Sequence, residues 1–144
     1  MTIHNIEGSI ILGCGYTGMV LLRKIQSTSM PVWATSRNVE RLEHFAQVGA
    51  SAVQWEAPNS LPKTRANTAF VLFAPGDLDP VEVANLFPTG MRVVYCSSTS
   101  VYGEHDGAWV DENTPCKPGS ERGRRRVAFE SAFRDRGGIV VRPG

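Results

Sequence analysis

Short apolar runs alternate along the chain with segments whose apolar residues recur every three or four positions. Ser9-Ile10-Ile11-Leu12 is the first run, and it leads through Gly13-Cys14-Gly15-Tyr16-Thr17-Gly18 into a helical pattern. In that helix Met19, Leu22 and Ile25 fall in step, Val20 and Leu21 widen the apolar face, and Ser27-Thr28-Ser29 ends it. Pro31 to Thr35 reads as a buried second strand with proline at its first position, where a missing donor is tolerated. Asn38 is the expected N-cap of a second helix whose inner face is Val39, Leu42, Phe45 and Ala46, with Gly49 closing it. Ala52-Val53-Gln54-Trp55 is a third strand.

A proline-containing loop, 56–67, follows, and then the near-continuous apolar run Ala69-Phe70-Val71-Leu72-Phe73 expected of a buried parallel strand. Asp79-Pro80 supplies an N-cap and first-turn proline for a short helix through Phe87. Arg92 to Cys96 is a fifth strand. A polar loop with Gly103, Gly107 and Pro115 comes next. Ser120 caps a last helix running to about Arg136, Gly137-Gly138 stops it, and Ile139 to Arg142 is a sixth strand. Strand and helix alternate throughout, without an internal linker or a short repeat. The pattern predicts an α/β protein: one doubly wound Rossmann domain over 1–144 with a parallel sheet of about six strands.

Within that pattern the first strand-to-helix junction carries G-x-G-x-x-G, the arrangement that binds a dinucleotide. Gly13 permits the tight turn out of the strand, Gly15 lets a pyrophosphate approach the backbone, and Gly18 allows close helix–sheet packing. The helix starting near Tyr16 and Thr17 points free N–H groups and the positive end of its dipole at the phosphates. The plain alternative is a glycine-rich junction that binds nothing. Strand two ends in Thr35-Ser36-Arg37 and offers no carboxylate for a ribose 2′-hydroxyl. Arg37 can pair with a 2′-phosphate and Ser36 can hydrogen-bond to it, so NADP is expected over NAD, NAD being the alternative. Ala74 and Pro75, just past strand four, complete the candidate cofactor contacts.

Composition narrows the classes without choosing among them. The 144 residues carry a formal net charge of +1, which speaks against a nucleic-acid or anionic-membrane binder. No apolar run approaches the ~18 residues of a membrane span, and Met1 to Asn5 is too short and polar for a signal peptide. Cys14, Cys96 and Cys116 lack metal-ligand spacing; their odd number and scatter point to a reducing, cytoplasmic setting. His4 and His44 are expected to be exposed. His105 is a conceivable acid or base without motif support, and the run Arg122 to Arg126 reads as a solvated helix face.

Cys96-Ser97-Ser98-Thr99-Ser100-Val101-Tyr102-Gly103 contains S-S-x-x-V-Y-G after the fifth strand. Together with the glycine motif it resembles the extended short-chain dehydrogenases, which include the NAD-dependent epimerases and dehydratases of nucleotide sugars. The likeness continues through Val110-Asp111-Glu112, Thr114-Pro115, Pro118 and a helix reaching Glu130, and so covers nearly the whole chain. It implies that the Ser98 hydroxyl polarises the substrate, the plain alternative being a serine that only hydrogen-bonds backbone in a turn, and it makes Asp111 and Glu112 structural loop carboxylates and Tyr102 a packing residue. The family also has Y-x-x-x-K on the following helix, a proton-transferring tyrosine and a lysine that binds the nicotinamide ribose. Here Arg122-Gly123-Arg124-Arg125-Arg126 stands in that place, with Arg122 at the tyrosine position and Arg126 at the lysine position. Arginine is a permanent cation, so Arg122 cannot pass the proton, while Arg126 can still hold the ribose or stabilise negative charge. The pattern is similar to the atypical members that keep the cofactor fold and lose the tyrosine.

Members of that family continue beyond strand six into a further strand and a substrate domain, whereas this chain stops at Gly144. The expectation is either the cofactor-binding half of such a protein or a naturally short protein that completes itself by association, with an uncovered sixth strand that favours homo-oligomers. Three functions follow: an NADP(H)-binding domain of an epimerase/dehydratase-type oxidoreductase or isomerase acting on an unidentified small molecule; a non-catalytic NADP(H) redox sensor; or a Rossmann-like fragment that binds nothing stably. Neither a metal, nor nucleic acid, nor a membrane is expected as a partner.

Overall fold

The computed structural model describes residues 7–144, so the polar leader Met1 to Asn5 and His4 lie outside the described residues. Strands β1 (Ser9–Leu12), β2 (Val32–Ser36), β3 (Ser51–Gln54), β4 (Thr68–Val71), β5 (Arg92–Cys96) and β6 (Ile139–Val141) form one sheet in the order β3-β2-β1-β4-β5-β6. Every neighbouring pair is parallel. Helices α1 (Tyr16–Gln26), α2 (Glu40–Gln47), α3 (Pro80–Asn85) and α4 (Glu121–Asp135) and a 3-10 turn (Thr99–Val101) make the connections. The doubly wound Rossmann architecture expected from the pattern is the one observed. Among the described residues, no helix is long and apolar enough to cross a membrane.

Successive side chains of a strand point to opposite faces, and β1 uses both. Ile10 and Leu12 enter one core with Val83 of α3, Tyr95 of β5, and Phe129 and Phe133 of α4. Ile11 enters the other with Leu22 of α1 and Phe45 of α2. Burial on both sides explains why β1 and β4 are apolar runs rather than alternating ones.

Several boundaries move by a residue or two. Proline 31 precedes β2, Trp55 follows β3, and β4 stops at Val71, which frees Phe73 from the ladder. The α2 cap shifts too: Asn38 lies one residue outside the helix cap, yet its Oδ1 still accepts from Glu40 N at 2.9 Å. The apolar stripes are narrower than the sequence pattern. Val20, Val39 and Ala46 face solvent, because each helix packs one stripe on the sheet and the flanks stay outside. Asp79 and Ser120 cap as expected, accepting from Glu82 N at 2.7 Å and Gly123 N at 3.1 Å. At the sheet edge Ile139 and Val141 of β6 are about half exposed, at 51% and 43%.

One buried charge fastens the C-terminal half. Glu130 of α4 is only 1% exposed. Its carboxylate accepts from Arg142 Nε at 2.9 Å and Nη2 at 2.6 Å, and from Arg134 Nη1 at 3.1 Å. Arg142 also donates through Nη1 to Tyr102 Oη at 2.9 Å, lies over the Tyr102 ring at 4.9 Å, and approaches Cys116 Sγ at 3.2 Å. Helix α4, the end of β6 and the polar loop therefore share one ion pair. Burial alone would raise the Glu130 carboxyl. The hydrogen bonds from Arg142 and the charges of Arg142 and Arg134 outweigh that and hold it below the usual carboxylate range.

Removing one partner of such a pair leaves an uncompensated charge and costs about 3–5 kcal/mol. Glu130→Ala and Arg142→Ala should each lower the unfolding free energy measured by urea titration at neutral pH by an amount in that range. A depressed carboxylate contributes stability above its unfolded value of about 4.5 and loses it as pH falls through the folded value. Urea titrations in that acid range should show a steeper loss for the parent chain than for Glu130→Gln.

Candidate functional site

In the order 3-2-1-4-5-6 the chain leaves β1 toward β2 and β3 on one side, then returns past β1 to β4 on the other. The crevice at the C-terminal ends of β1 and β4 is the topological switch point of an open α/β sheet, where such sheets bind ligands. A cleft of about 540 Å³ lies there. Its floor is Gly13, Cys14 and Gly15; one wall is Ser36, Arg37, Arg41 and Glu56; the other runs from Phe73 through Ala74 and Pro75 to Leu78.

The floor requires glycine at two positions for different reasons. Gly13 has φ +79°, and a Cβ there would lie 2.7 Å from Phe73 Cβ and 2.9 Å from Phe73 N. Its amide donates to Thr35 Oγ1 at 3.2 Å and Cys14 N donates to Thr35 O at 2.9 Å, so the loop is tied to β2. Gly15 has an ordinary φ of −89° and no side chain caps α1. A Cβ on Gly15 would meet only Arg41 Nη1, at 3.8 Å, so the open space above it is what its missing side chain provides. Gly18 sits under the helix, where a Cβ would be 3.0 Å from Cys14 Sγ and 3.3 Å from Leu72 Cδ1. Tyr16 and Thr17 are exposed in the first turn of α1 and do not line the cleft. Burial pushes the Cys14 thiol up to about 11 against the opposing charge of Arg41, so it stays protonated near neutrality.

Ser36, Arg37, Ala74 and Pro75 all reach the cleft. The Ser36 hydroxyl accepts from Asn38 N at 3.0 Å, and Arg37 pairs with Glu56 at 3.4 Å, both side chains exposed. Sequence reasoning missed two members of this wall. Arg41 comes from α2 and donates through Nη1 to Cys14 O at 3.2 Å, bringing a second cation to the cleft. Glu56 follows β3 and faces Arg37 across the strand ends. An aromatic pair, Trp55 and Phe73, lies at 5.8 Å between centroids beside these groups. The Trp55 indole is fixed by donating to Asn59 O and Ser60 O.

Ser98 and Arg126 lie outside this cleft, at the end of β5. Ser98 is half-buried and caps the 3-10 turn, its Oγ accepting from Ser100 N at 3.2 Å. Arg126 donates through Nη1 to Cys96 O at 3.3 Å, and its guanidinium lies against the buried Tyr95 hydroxyl. Arg125 clasps Gly76 O, Asp77 and Glu121, tying α4 to the far wall of the cleft. None of the tyrosines stands where a proton donor beside Ser98 would: Tyr16 is 88% exposed on α1, and the Tyr102 hydroxyl serves Arg142. The Tyr95 hydroxyl is buried in the core against the Arg126 guanidinium; burial, partly offset by that charge, pushes it up to about 12. His105 is half-buried and packs edge-on to Tyr102 at 6.2 Å. Asp111 accepts from the Asn113 and Thr114 amides, a turn-building role. The described residues contain no cluster of His, Cys, Asp and Glu suited to a metal.

No family profile and no curated protein sequence matches the chain. Solved structures do. A functionally unknown conserved protein from Silicibacter pomeroyi superposes with a TM-score of 0.76 at 32% identity, over 94% of this chain and 52% of its own. A putative NAD-dependent epimerase/dehydratase from Methylobacillus flagellatus gives 0.74 at 22% identity, over 96% and 54%. A short-chain dehydrogenase/reductase superfamily protein from Agrobacterium tumefaciens, with bound NAD, gives 0.68 at 18% identity, over 93% and 48%. The chain thus has the fold of NAD-dependent epimerase/dehydratase and short-chain dehydrogenase proteins, and it spans about half their length.

The two glycines separate folding from the space above the loop. Gly13→Ala forces a left-handed alanine, costing at least about 1–2 kcal/mol before the Phe73 clash is counted. Gly15→Ala should change stability by less than about 0.5 kcal/mol. Thermal melts of the two variants check this, and equal destabilisation would refute the assignment.

Proposed function

We propose that the chain is an NADP(H)-binding domain of the epimerase/dehydratase type, part of an oxidoreductase or isomerase acting on a small molecule. The observation that carries the reading is the open backbone at Gly15, which leads directly into an uncapped α1 N-terminus at the switch point. The residues fit such a cofactor: Gly13, Gly15 and the first turn of α1 would take the pyrophosphate, and Ala74 and Pro75 would line its far side. Hydride transfer would be the cofactor's chemistry; the chain's part is to bind and orient it. NAD bound to the Agrobacterium structure supports a nicotinamide cofactor. The two cations at the end of β2 and on α2 support the phosphorylated form.

Arg37 and Arg41 favour a 2′-phosphate, whereas Glu56 opposes it by charge and by engaging Arg37. A hydrogen bond to a charged group is worth about 1.5–3 kcal/mol, roughly ten- to a hundredfold in affinity. Fluorescence titration should therefore show NADPH binding at least about tenfold more tightly than NADH. Arg37→Glu should narrow or reverse that gap, and Glu56→Gln should widen it. Gly15→Ala should abolish binding of both. Equal dissociation constants for the two nucleotides in the parent chain would remove the 2′-phosphate assignment.

A second reading, a non-catalytic redox sensor, is favoured by one observation: Tyr102, which closes the Ser98 turn, has its hydroxyl engaged by Arg142, and α4 carries arginine where a proton-passing tyrosine would stand. A positioned acid or base is worth about 10²–10⁴-fold in rate. The chain should bind NADPH yet reduce carbonyl substrates more slowly than a tyrosine-bearing dehydrogenase by about that factor. Fast turnover of an aldehyde or ketone panel, lost on Ser98→Ala, would overturn this expectation.

A further inference from the structure

The turn that forms the far wall of the nucleotide cleft is anchored at its ends and bare at its apex. Pro75 is buried, and Leu78 packs against the core that Val83 and Phe129 share. Between them Gly76 and Asp77 are exposed, and a Cβ on Gly76 would meet nothing within 4 Å beyond its chain neighbours. Inside the turn Leu78 N donates to Pro75 O at 3.2 Å. Gly76, Asp77 and Leu78 all line the cleft. Apolar packing therefore fixes where the turn begins and ends but not how its apex leans over the cleft.

That apex is held from α4. Arg125 Nη1 donates to Gly76 O and to the Asp77 carboxylate, and its Nε donates to Glu121 Oε1 at 3.0 Å. Among the described residues no other side chain hydrogen-bonds to Gly76 or Asp77. Three acceptors on one planar guanidinium set its direction as well as its distance. Arg125 itself does not line the cleft. Its side chain is partly exposed and that of Asp77 almost fully so. Exposed pairs contribute little to stability, so what the clasp changes is the position of the apex rather than the stability of the fold.

We propose that Arg125 is a positioning residue of the cleft: its clasp on Gly76 and Asp77 holds the wall in the shape that closes on the dinucleotide, and so raises affinity without touching the ligand. The inference rests on the dinucleotide reading for the ligand and on the α4 contacts for the clasp. Such coupling is reciprocal, so a bound nucleotide tightens the clasp by the factor that the clasp tightens the nucleotide. A clasp and a simple attraction of charge predict opposite signs at Asp77. Asp77 lines the cleft, so its negative charge repels a pyrophosphate, and removing it would tighten binding if charge alone mattered. Removing it weakens binding if Asp77 holds Arg125 in place.

Fluorescence titrations of NADPH and NADH, together with hydrogen exchange of the Leu78 amide in the chain alone, test this. Arg125→Gln and Asp77→Ala should each weaken both nucleotides by about fivefold or more. The factor should be the same for the two, because the 2′-phosphate contacts are assigned to the opposite wall. The double variant should bind no more weakly than the weaker single one. Arg124→Gln removes the same charge one residue away, from a side chain that pairs with Glu121 and does not reach the turn, and should leave affinity unchanged. The Leu78 amide should exchange faster in Arg125→Gln and Asp77→Ala and keep the parent's rate in Arg124→Gln. Tighter binding by Asp77→Ala, equal losses in Arg124→Gln and Arg125→Gln, or unchanged Leu78 exchange would overturn the clasp. If neither nucleotide binds the parent chain while Leu78 exchanges faster only in the two clasp variants, the hold on the wall stands and the dinucleotide reading alone falls.

Discussion

A buried carboxylate has to be matched by a cation, and in this chain that requirement joins the last third of the fold to the sheet. Glu130 faces inward from α4 and is satisfied by Arg142 at the end of β6. The pair sets where α4 lies along the sheet, and with it the rest of that side of the molecule. Gly123 then rests on the Ser100 carbonyl, Arg126 reaches the Cys96 carbonyl, and Arg125 reaches the loop at Gly76 and Asp77. An apolar contact of similar area would hold the helix as firmly but would not fix its register so narrowly, because hydrophobic attraction is non-directional. The bidentate pair adds a directional contact to the packing of Phe129 and Phe133, which holds the same helix on the sheet.

The cleft at the switch point is governed by a different constraint, the absence of side chains. Gly13 must turn at positive φ against Phe73, and Gly15 leaves backbone facing open space. Phe73 can serve as the floor's neighbour only because β4 stops at Val71 and releases it from the ladder. The same shortening puts Ala74 and Pro75 on the wall. The opposite wall brings charge from three separate segments: Arg37 after β2, Arg41 on α2 and Glu56 after β3. A parallel sheet makes this convergence automatic, since all its strands end on one edge.

Much of this was legible in order along the chain because its signals are local. Strand runs, the glycine junction and the caps Asp79 and Ser120 depend on neighbours within a few residues, and they were placed within a residue or two. The contacts that went unread are long in sequence: Arg41 to Cys14, Arg125 to Asp77 and Arg142 to Glu130 span 27, 48 and 12 residues. No spacing rule marks such pairs; they exist only once helices have docked. The opposite error has a related cause. Val20, Val39 and Ala46 match the helical period but fall outside the contact stripe, and the width of that stripe is set by the sheet beneath rather than by the sequence of the helix. Ser98 shows a third kind of gap. Its motif marked the residue, but only the fold shows that its hydroxyl already accepts from Ser100 N, which leaves the hydroxyl proton as its free donor.

At the end of β5 that remaining donor has as its neighbour a guanidinium already engaged, Arg126, which donates to Cys96 O and lies against the Tyr95 hydroxyl. The Ser98 hydroxyl proton and the exposed Arg122 fork are donors there, while the Ser100 hydroxyl oxygen is buried without a partner. Of the nearby tyrosines, the buried Tyr95 hydroxyl is pushed up to about 12 and the Tyr102 hydroxyl is engaged by Arg142. A guanidinium stabilises negative charge but, as a permanent cation, does not pass a proton. The cleft has the same bias, with the Cys14 thiol held protonated beneath Arg41. The two regions are joined through Arg125, which ties α4 to the Asp77 side of the cleft.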